Sequence, residues 1–341
     1  MLRTKKERTD VSPRQKRARL IFIAAILLIL AVIWITRYPK GYVNMFLGHY
    51  VGTSSVLSSL DGLEHSQTEL DAAAALEPDW DDWRESHLYE TLTLSASADG
   101  TRLTGDFYNV GSSVTLIALH SFDGSRKGDF LYVPWYAQQG YNVFIPDIRS
   151  HGDNEEYMVT WGDYESRDVL DWMDLLDQKY GSQTYILHGQ DLGASAALWC
   201  AGDARIAFIT AESPVTELYP AARYLLKKQF GIPGFFMPLI DSSARSVLPD
   251  GRSMRDFSLE SAVAGADTPI LILNAEGGTM VDPDAVDAFY ESYTGPKTIV
   301  RADTSHGMIY PAAQADVEAV LARYSAQYIK NQSAVSFGKV V

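Results

Sequence analysis

The chain predicts an α/β protein with a mainly parallel central sheet flanked by helices, and three observations carry that prediction. From about residue 87 to 332, short apolar runs rich in β-branched residues alternate with amphipathic stretches. In the middle of that alternation the strand-like Tyr185-Ile186-Leu187 runs through a glycine-flanked turn into an alanine-rich helix. Ahead of it lies a basic, then apolar N-terminus that belongs to no such pattern and predicts one transmembrane helix.

Residues 1–19 carry eight Lys or Arg against Glu7 and Asp10, a local charge of +6, which leaves −20 on the rest of a chain whose total is −14. Leu20 to Ile35 is an unbroken apolar run, so 20–37 reads as an anchor with a cytoplasmic basic tail. A cleaved signal peptide is the competing reading, but Thr36-Arg37-Tyr38-Pro39-Lys40 lacks a small-x-small site. The expectation is a single-pass protein of the cell membrane, N-terminus cytoplasmic and main domain extracytoplasmic. Residues 38–86 read as a helical stalk or decoration, and 333–341 as a C-terminal tail. The lone Cys200 lies in an apolar helix and can form no intramolecular disulfide. The acidity of the domain argues against nucleic acid as a partner and leaves a small-molecule or peptide ligand.

Within the domain, 88–96 and 102–108 read as a hairpin around Asp99-Gly100, followed by a strand at 114–119 and a helix near 131–139. A strand at 143–146, a helix over 164–180, a strand at 184–187, a helix over 192–201 and a strand at 206–210 come next. After an insertion at 213–265, the kind of segment that forms a small cap, come strand 270–273, helix 283–293, strand 298–301 and a last helix over 312–329. The apolar run Phe230 to Ile240 within the insertion reads either as a hydrophobic mouth or as packing of the cap onto the sheet. Asp163, Glu165, Asp168, Asp171, Asp174 and Asp177 recur at helical spacing opposite Val169, Trp172 and Leu176, the pattern of a solvated face.

Gly189-Gln190-Asp191-Leu192-Gly193 has the strand-turn-helix setting of a G-x-S-x-G nucleophile elbow, with aspartate at the centre. A carboxylate attacking an ester or amide carbonyl would form a mixed anhydride, whereas attack on saturated carbon forms an ester that water can cleave. Asp191 therefore argues against a standard Ser-His-Asp esterase or peptidase. No His/Cys/Asp/Glu grouping has metal-ligand spacing and no phosphate loop is evident, so neither metal nor cofactor is implied. Ser195, inside the helix, is a poor replacement nucleophile.

Two further segments, His120-Ser121-Phe122-Asp123-Gly124-Ser125 and Gly140-Tyr141-Asn142-Val143-Phe144-Ile145-Pro146-Asp147-Ile148-Arg149-Ser150-His151-Gly152, complete the picture. Together with the elbow they resemble the α/β-hydrolase superfamily, in particular its bacterial membrane-anchored peptidase-like and esterase-like members, over residues 87–332. The resemblance implies an oxyanion hole from the backbone N–H groups of Phe122 and Leu192 and a general base at His306. It also implies that Asp147, Arg149 and His151 fix a loop. The chain departs from the pattern at three places: Asp191 stands for the serine, Gly278 for the usual acid and Ser121 for the first glycine of the oxyanion turn. The expectation is a site that is non-catalytic or of atypical activity. The alternative is a hydrolase resembling haloalkane dehalogenases and epoxide hydrolases, with Asp191 as nucleophile, His306 as base and Glu212 as its orienter. Glu212 reads equally as a cap of the turn after its strand. Tyr219 and Tyr224 are the insertion's counterparts of paired lid tyrosines, or part of a packed face. Leu192 stands where dehalogenases carry tryptophan.

Overall fold

The computed structural model describes residues 65–154 and 158–329, with six isolated helical positions between 19 and 47. The 20–37 anchor and the 333–341 tail lie outside these residues, apart from Phe22, Ile23 and Ile26, which are exposed. Among the described residues no helix is long and apolar enough to cross a membrane.

Eight strands form one sheet: β1 Glu90–Ser95, β2 Arg102–Tyr108, β3 Val114–Leu119, β4 Asn142–Pro146, β5 Thr184–Gln190, β6 Ile206–Glu212, β7 Ile270–Ala275 and β8 Lys297–Ala302. Their spatial order is β1-β2-β4-β3-β5-β6-β7-β8. The hairpin β1–β2 is antiparallel, with Glu90 opposite Phe107 and Ser95 opposite Arg102, and β2 also runs against β4. From β4 to β8 every neighbour is parallel. The inner strands β3 and β7 are buried at every position, which is why they read as continuous apolar runs rather than alternations. The outer strand β1 is mostly exposed.

Eleven helices surround the sheet among the described residues: α1 Gln67–Ala74, α2 Glu77–Ser86, α3 Val133–Gln138, α4 Asp163–Tyr180, α5 Leu192–Trp199, α6 Leu218–Phe230, α7 Met237–Ala244, α8 Leu259–Ala262, α9 Pro283–Ser292, α10 Ile309–Ala312 and α11 Gln314–Tyr328. One face of the sheet packs α4, α5, α9 and the cap helices, with Trp172, Leu198, Ile240 and Phe289 in a common core. The other packs α2, α3, α10 and α11 around Trp80, Tyr136, Tyr310 and Leu321. The helix expected over 312–329 is α11, and the short α10 precedes it, the two separated at Ala313, which leaves helical dihedrals at φ −126°.

Residues 65–86, together with Val43 and Leu47, pack on the domain. Trp80 and Trp83 of α2 are buried, stack at 5.4 Å and abut Phe130 and Tyr108. Val43 and Leu47 are buried in the opposite core. The helix α1 opens with a capping box: Ser66 N–H donates to Glu69 Oε2 at 2.6 Å, and Ser66 Oγ accepts from Glu69 N–H. It lies against α10.

The cap is built from α6, a 3₁₀ turn at Gly234–Phe236, α7 and α8. Ile232, Met237 and Ile240 pack into the core, which favours the packing reading of the apolar run, while Phe235 is exposed. Tyr219 lies under the Arg255 guanidinium at 3.5 Å and Tyr224 under Lys228.

The acidic face expected on α4 is only partly solvated. Asp163, Glu165 and Asp168 are buried. Glu165 accepts from Thr160 N–H, Thr160 Oγ1 and Gly162 N–H, and so closes the N-terminus of the helix. Asp168 takes Arg149 Nε and Nη2 at 2.8 and 2.6 Å in a bidentate pair. Helical spacing cannot distinguish a solvated carboxylate from one whose cation arrives from another element.

Candidate active site

The carboxyl ends of the parallel strands β3, β5, β6, β7 and β8 meet at one edge of the sheet, where open α/β sheets place their sites. The elbow forms at the end of β5, the strand flanked by β3 and β6. Two close approaches explain its glycines. A Cβ on Gly189 would stand 2.2 Å from Gly193 O, and one on Gly193 would stand 2.4 Å from Leu119 O. The strand, the following helix and the end of β3 thus touch backbone to backbone.

Between them Asp191 is held at φ 51°, ψ −108°, a conformation that L residues rarely adopt. Its N–H donates to Glu212 O at 2.9 Å and its carbonyl accepts Ser195 N–H at 3.0 Å, so strand and helix pin it from both sides. The Phe122 N–H donates to Asp191 Oδ2 at 3.2 Å. One of the two amides expected to hold an oxyanion therefore already holds an oxygen of the carboxylate. Leu192 opens α5 directly after Asp191, where first-turn N–H groups lack intrahelical acceptors.

The loop carrying Phe122 is fixed by two buried histidines. His120 Nε2 accepts Ile148 N–H at 2.9 Å, which leaves Nδ1–H to donate to Ser121 O at 2.7 Å. His151 contacts Phe122 O at 2.5 Å through Nε2 and Arg149 O at 2.8 Å through Nδ1. Trp161 stacks on the Phe122 ring at 5.2 Å. Asp147 accepts Arg126 N–H at 2.7 Å, pairs with the Arg126 guanidinium and accepts Asp153 N–H at 3.0 Å. Asp147, Arg149 and His151 hold the loop after β4, the role their motif implied.

His306 follows β8 and, with Asp191 and Glu212, lines one cavity of about 170 Å³, together with His65, Ser121, Asp123, Gln190, Gly307 and Met308. The three proposed catalytic side chains are thus brought together. Gly278, where the family's acid would stand, lies beside the histidine: its Cβ would be 3.3 Å from His306 N. Glu212 is fully buried at the end of β6, and its Oε1 accepts Ile309 N–H at 3.1 Å while Oε2 accepts Gln190 Nε2 at 3.1 Å. Its carboxylate therefore reaches across to the helix that follows the His306 loop. Tyr219 and Tyr224 do not border the cavity. Ser195 is buried, donating to Asp191 O and Val215 O and accepting Val215 N–H, a structural hydroxyl. Cys200 is buried too, and burial pushes its thiol far up, which keeps it protonated. Among the described residues no group of three or more His, Cys, Asp or Glu is placed to hold a metal ion.

Two residues of the site escaped sequence reasoning. Glu69 of α1 presents Oε1 to Thr304 Oγ1 at 2.5 Å, Ser305 N–H at 2.6 Å and Ser305 Oγ at 2.9 Å, directly beside His306. Partial burial opposes its charge, but the Ser305 N–H and the Thr304 and Ser66 hydroxyls outweigh it and hold the carboxyl well below the usual range. His65 Nδ1 lies 2.7 Å from Ser305 Oγ. The Ser66-x-x-Glu69 spacing is a capping-box signature legible in the sequence. Its reach to residue 305 is not.

Burial holds His120 and, on β5, His188 neutral, each pushed down to about 3 from 6.5. In the unfolded chain both rings would take up a proton near 6.5, so between pH 6.5 and about 3 the unfolded state binds more protons than the native one. Stability is therefore expected to fall as pH drops through that window, by about 1.4 kcal/mol per pH unit for each ring. Urea unfolding at pH 7, 5.5 and 4.5 checks this. His188→Phe, which keeps the stack on Tyr132, should flatten the slope, and an unaltered slope would remove His188 from the account.

The profile of the Alpha/beta hydrolase family matches residues 116–322. Among curated proteins, the uncharacterized protein YqkD of Bacillus subtilis is 25% identical over 202 residues, which are 58% of this chain and 66% of that protein. The chain thus spans a little under two thirds of that relative's length. Among solved structures, the esterase Pf2001 of Pyrococcus furiosus superposes with a TM-score of 0.60 at 20% identity, covering 73% of this chain and 96% of that one. Est1E of Butyrivibrio proteoclasticus with bound ferulic acid gives 0.53 at 17% identity over 72% of this chain and all of that one. These two show likeness of fold. With its eight-stranded sheet, its elbow at the end of β5 and a family match across most of the domain, the chain belongs to the alpha/beta hydrolase family.

Proposed function

We propose that this protein is a hydrolase that uses Asp191 as its nucleophile on a small electrophile at saturated carbon, of the epoxide or alkyl-halide type. The observation that carries the reading is the hydrogen bond from Phe122 N–H to Asp191 Oδ2 at a strained elbow. It anchors one carboxylate oxygen at the turn, and Oδ1 is the attacking atom. Attack forms the Oδ1–C bond and breaks the bond from carbon to its leaving group, giving an ester on Asp191. His306 then takes a proton from a water that adds to Asp191 Cγ. The negative charge of that addition develops on Oδ2, to which Phe122 N–H already donates, so the donor needs no reorganisation. Collapse expels the alcohol oxygen, which takes the proton held by His306, and the added hydroxyl loses its remaining proton to solvent, which regenerates the carboxylate. Glu212, in the same cavity, orients His306 in place of the acid lost at Gly278.

The reading is tested by trapping. With His306→Gln the ester is expected to accumulate, detected by intact-protein and peptide mass spectrometry as an adduct on Asp191 after exposure to small epoxides or alkyl bromides. No adduct with any of them would sink the aspartate mechanism and leave a non-catalytic protein that keeps the pocket for binding.

The membrane placement is part of the same proposal: residues 20–37 anchor the chain with the domain outside. The apolar run Leu20 to Ile35 behind a +6 tail supports it, as do the exposed Phe22, Ile23 and Ile26. A chain lacking residues 1–37 is expected in the soluble fraction, and its retention in membranes would remove the anchor.

A further inference from the structure

The cap carries a surface that the chemistry of the cavity does not use. Leu218 to Ile240 holds Arg223, Lys227 and Lys228 and no Asp or Glu, a charge of +3 in a chain that carries −20 beyond residue 19. All three cations are exposed, and Arg223 and Lys227 are neighbours at i and i+4 on α6. Lys228 lies within electrostatic reach of Asp282. After α6 the chain turns at Gly231 into the 3₁₀ turn Gly234–Phe236, where Phe235 is 74% exposed. Its ring is backed by that of Phe236 at 4.2 Å, and Phe236 packs against the core. Arg223 bridges helix and turn: a Cβ on Gly234 would stand 2.7 Å from Arg223 Nε, so the guanidinium group lies against the residue before Phe235. An apolar ring is thus presented beside a cationic helix face.

The path of the chain brings this surface toward a membrane. Five residues separate the anchor read at 20–37 from Val43, which is buried in the core on the face of the sheet that carries the cap, and six peptide steps span at most about 20 Å. Leu47 O then accepts Val159 N–H at 3.3 Å, four residues ahead of Asp163, and Asp163 pairs with Arg252 of the cap insertion. We infer that the cap docks on the bilayer that holds the anchor, with Phe235 entering between the lipid chains and Arg223, Lys227 and Lys228 meeting anionic headgroups. The inference rests on residues 20–37 being an anchor and is independent of the reaction at Asp191. A domain this acidic is repelled as a whole by an anionic surface, so a local cationic face decides which side turns toward it. One ring and three cations orient a domain that a tether already holds at the surface, and they do not retain a free one.

The experiment uses the full chain in vesicles of phosphatidylcholine and phosphatidylglycerol in equal parts. A polarity-sensitive fluorophore is attached at Phe235→Cys or, as the control, at Ala322→Cys, an exposed position of α11 on the opposite face of the sheet. Cys200 is buried and stays unlabelled. Flotation with the vesicles reports the anchor, and quenching by a spin-labelled lipid reports contact at the labelled site. A blue shift and lipid quenching are expected at position 235 and neither at 322. The combined change Arg223→Glu, Lys227→Glu and Lys228→Glu is expected to remove both signals while the chain still floats. No quenching at 235 in a chain that floats overturns the docking and leaves the anchor standing. Equal quenching at both positions, or quenching untouched by the charge reversal, overturns it too. Disulfide-linked dimers of Phe235→Cys in place of quenching would make a second copy of the chain the occupant of this surface. A full chain that does not float removes the anchor and this inference with it.

Discussion

Asp191→Ala is expected to abolish hydrolysis of any epoxide or alkyl halide the protein turns over, a loss on the order of 10³-fold or more, because no other group in the cavity replaces the attacking oxygen. The neighbouring hydroxyls do not: Ser195 is buried and bonded to backbone, and Ser121 Oγ donates to Asp123 Oδ1 at 2.5 Å. The same position should show an opposite effect on stability. Asp191 sits at φ 51°, where glycine has no Cβ penalty, so Asp191→Gly is expected to stabilise the fold by about 1 kcal/mol, strain relief exceeding the lost contact to Phe122. For a domain of this size that raises Tm by about 2–4 °C. Calorimetry of the alanine and glycine variants beside a turnover assay measures both. Undiminished turnover in Asp191→Ala would place the chemistry elsewhere, and a less stable Asp191→Gly would mean that the carboxylate is held for structure rather than for reaction.

Gly193→Ala carries the largest expected effect on the fold. Its Cβ would enter between Leu119 O and His120 O, at 2.4 and 2.6 Å, and both are backbone atoms of the end of β3 and the turn that follows. Neither can rotate away as a side chain would, so α5 must lift from the sheet, at a cost of about 3 kcal/mol or more. The displacement also separates Phe122 N–H from Asp191, so the reaction should suffer even under conditions where the variant folds. Ser195→Ala is the control two residues on: it removes bonds to Asp191 O and to Val215 but adds no bulk, and about 1–3 kcal/mol is expected. Urea unfolding of both variants decides the matter. Equal losses would mean that the close approach at Gly193 is relieved by a shift the present geometry does not show.

The two expectations concern one turn, and they explain how that turn works. Backbone contacts at Gly189 and Gly193 set how closely strand and helix approach, and that approach forces the intervening residue into a strained conformation. The strain in turn presents its side chain at the Phe122 amide. The nucleophile's identity is then a separate choice, and here it is a carboxylate.

The sequence by itself determined the strand-helix alternation, because a parallel sheet covered on both faces needs short apolar runs separated by amphipathic helices, and that periodicity is local. It also determined the elbow, since two glycines at fixed spacing can serve a strand-to-helix contact nothing else permits, and the loop role of Asp147, Arg149 and His151. The tertiary structure alone decided which of the charged residues on α4 are buried, because Asp168 finds Arg149 only when the loop after β4 returns to it. It alone decided that Glu212 reaches the backbone of Ile309. It also decided that His65 and Glu69, some 240 positions from Ser305 in the chain, meet the loop that carries His306. Contacts of that separation leave no periodicity in the chain. They follow from the order in which eight strands assemble, and only the assembled sheet brings their ends to one place.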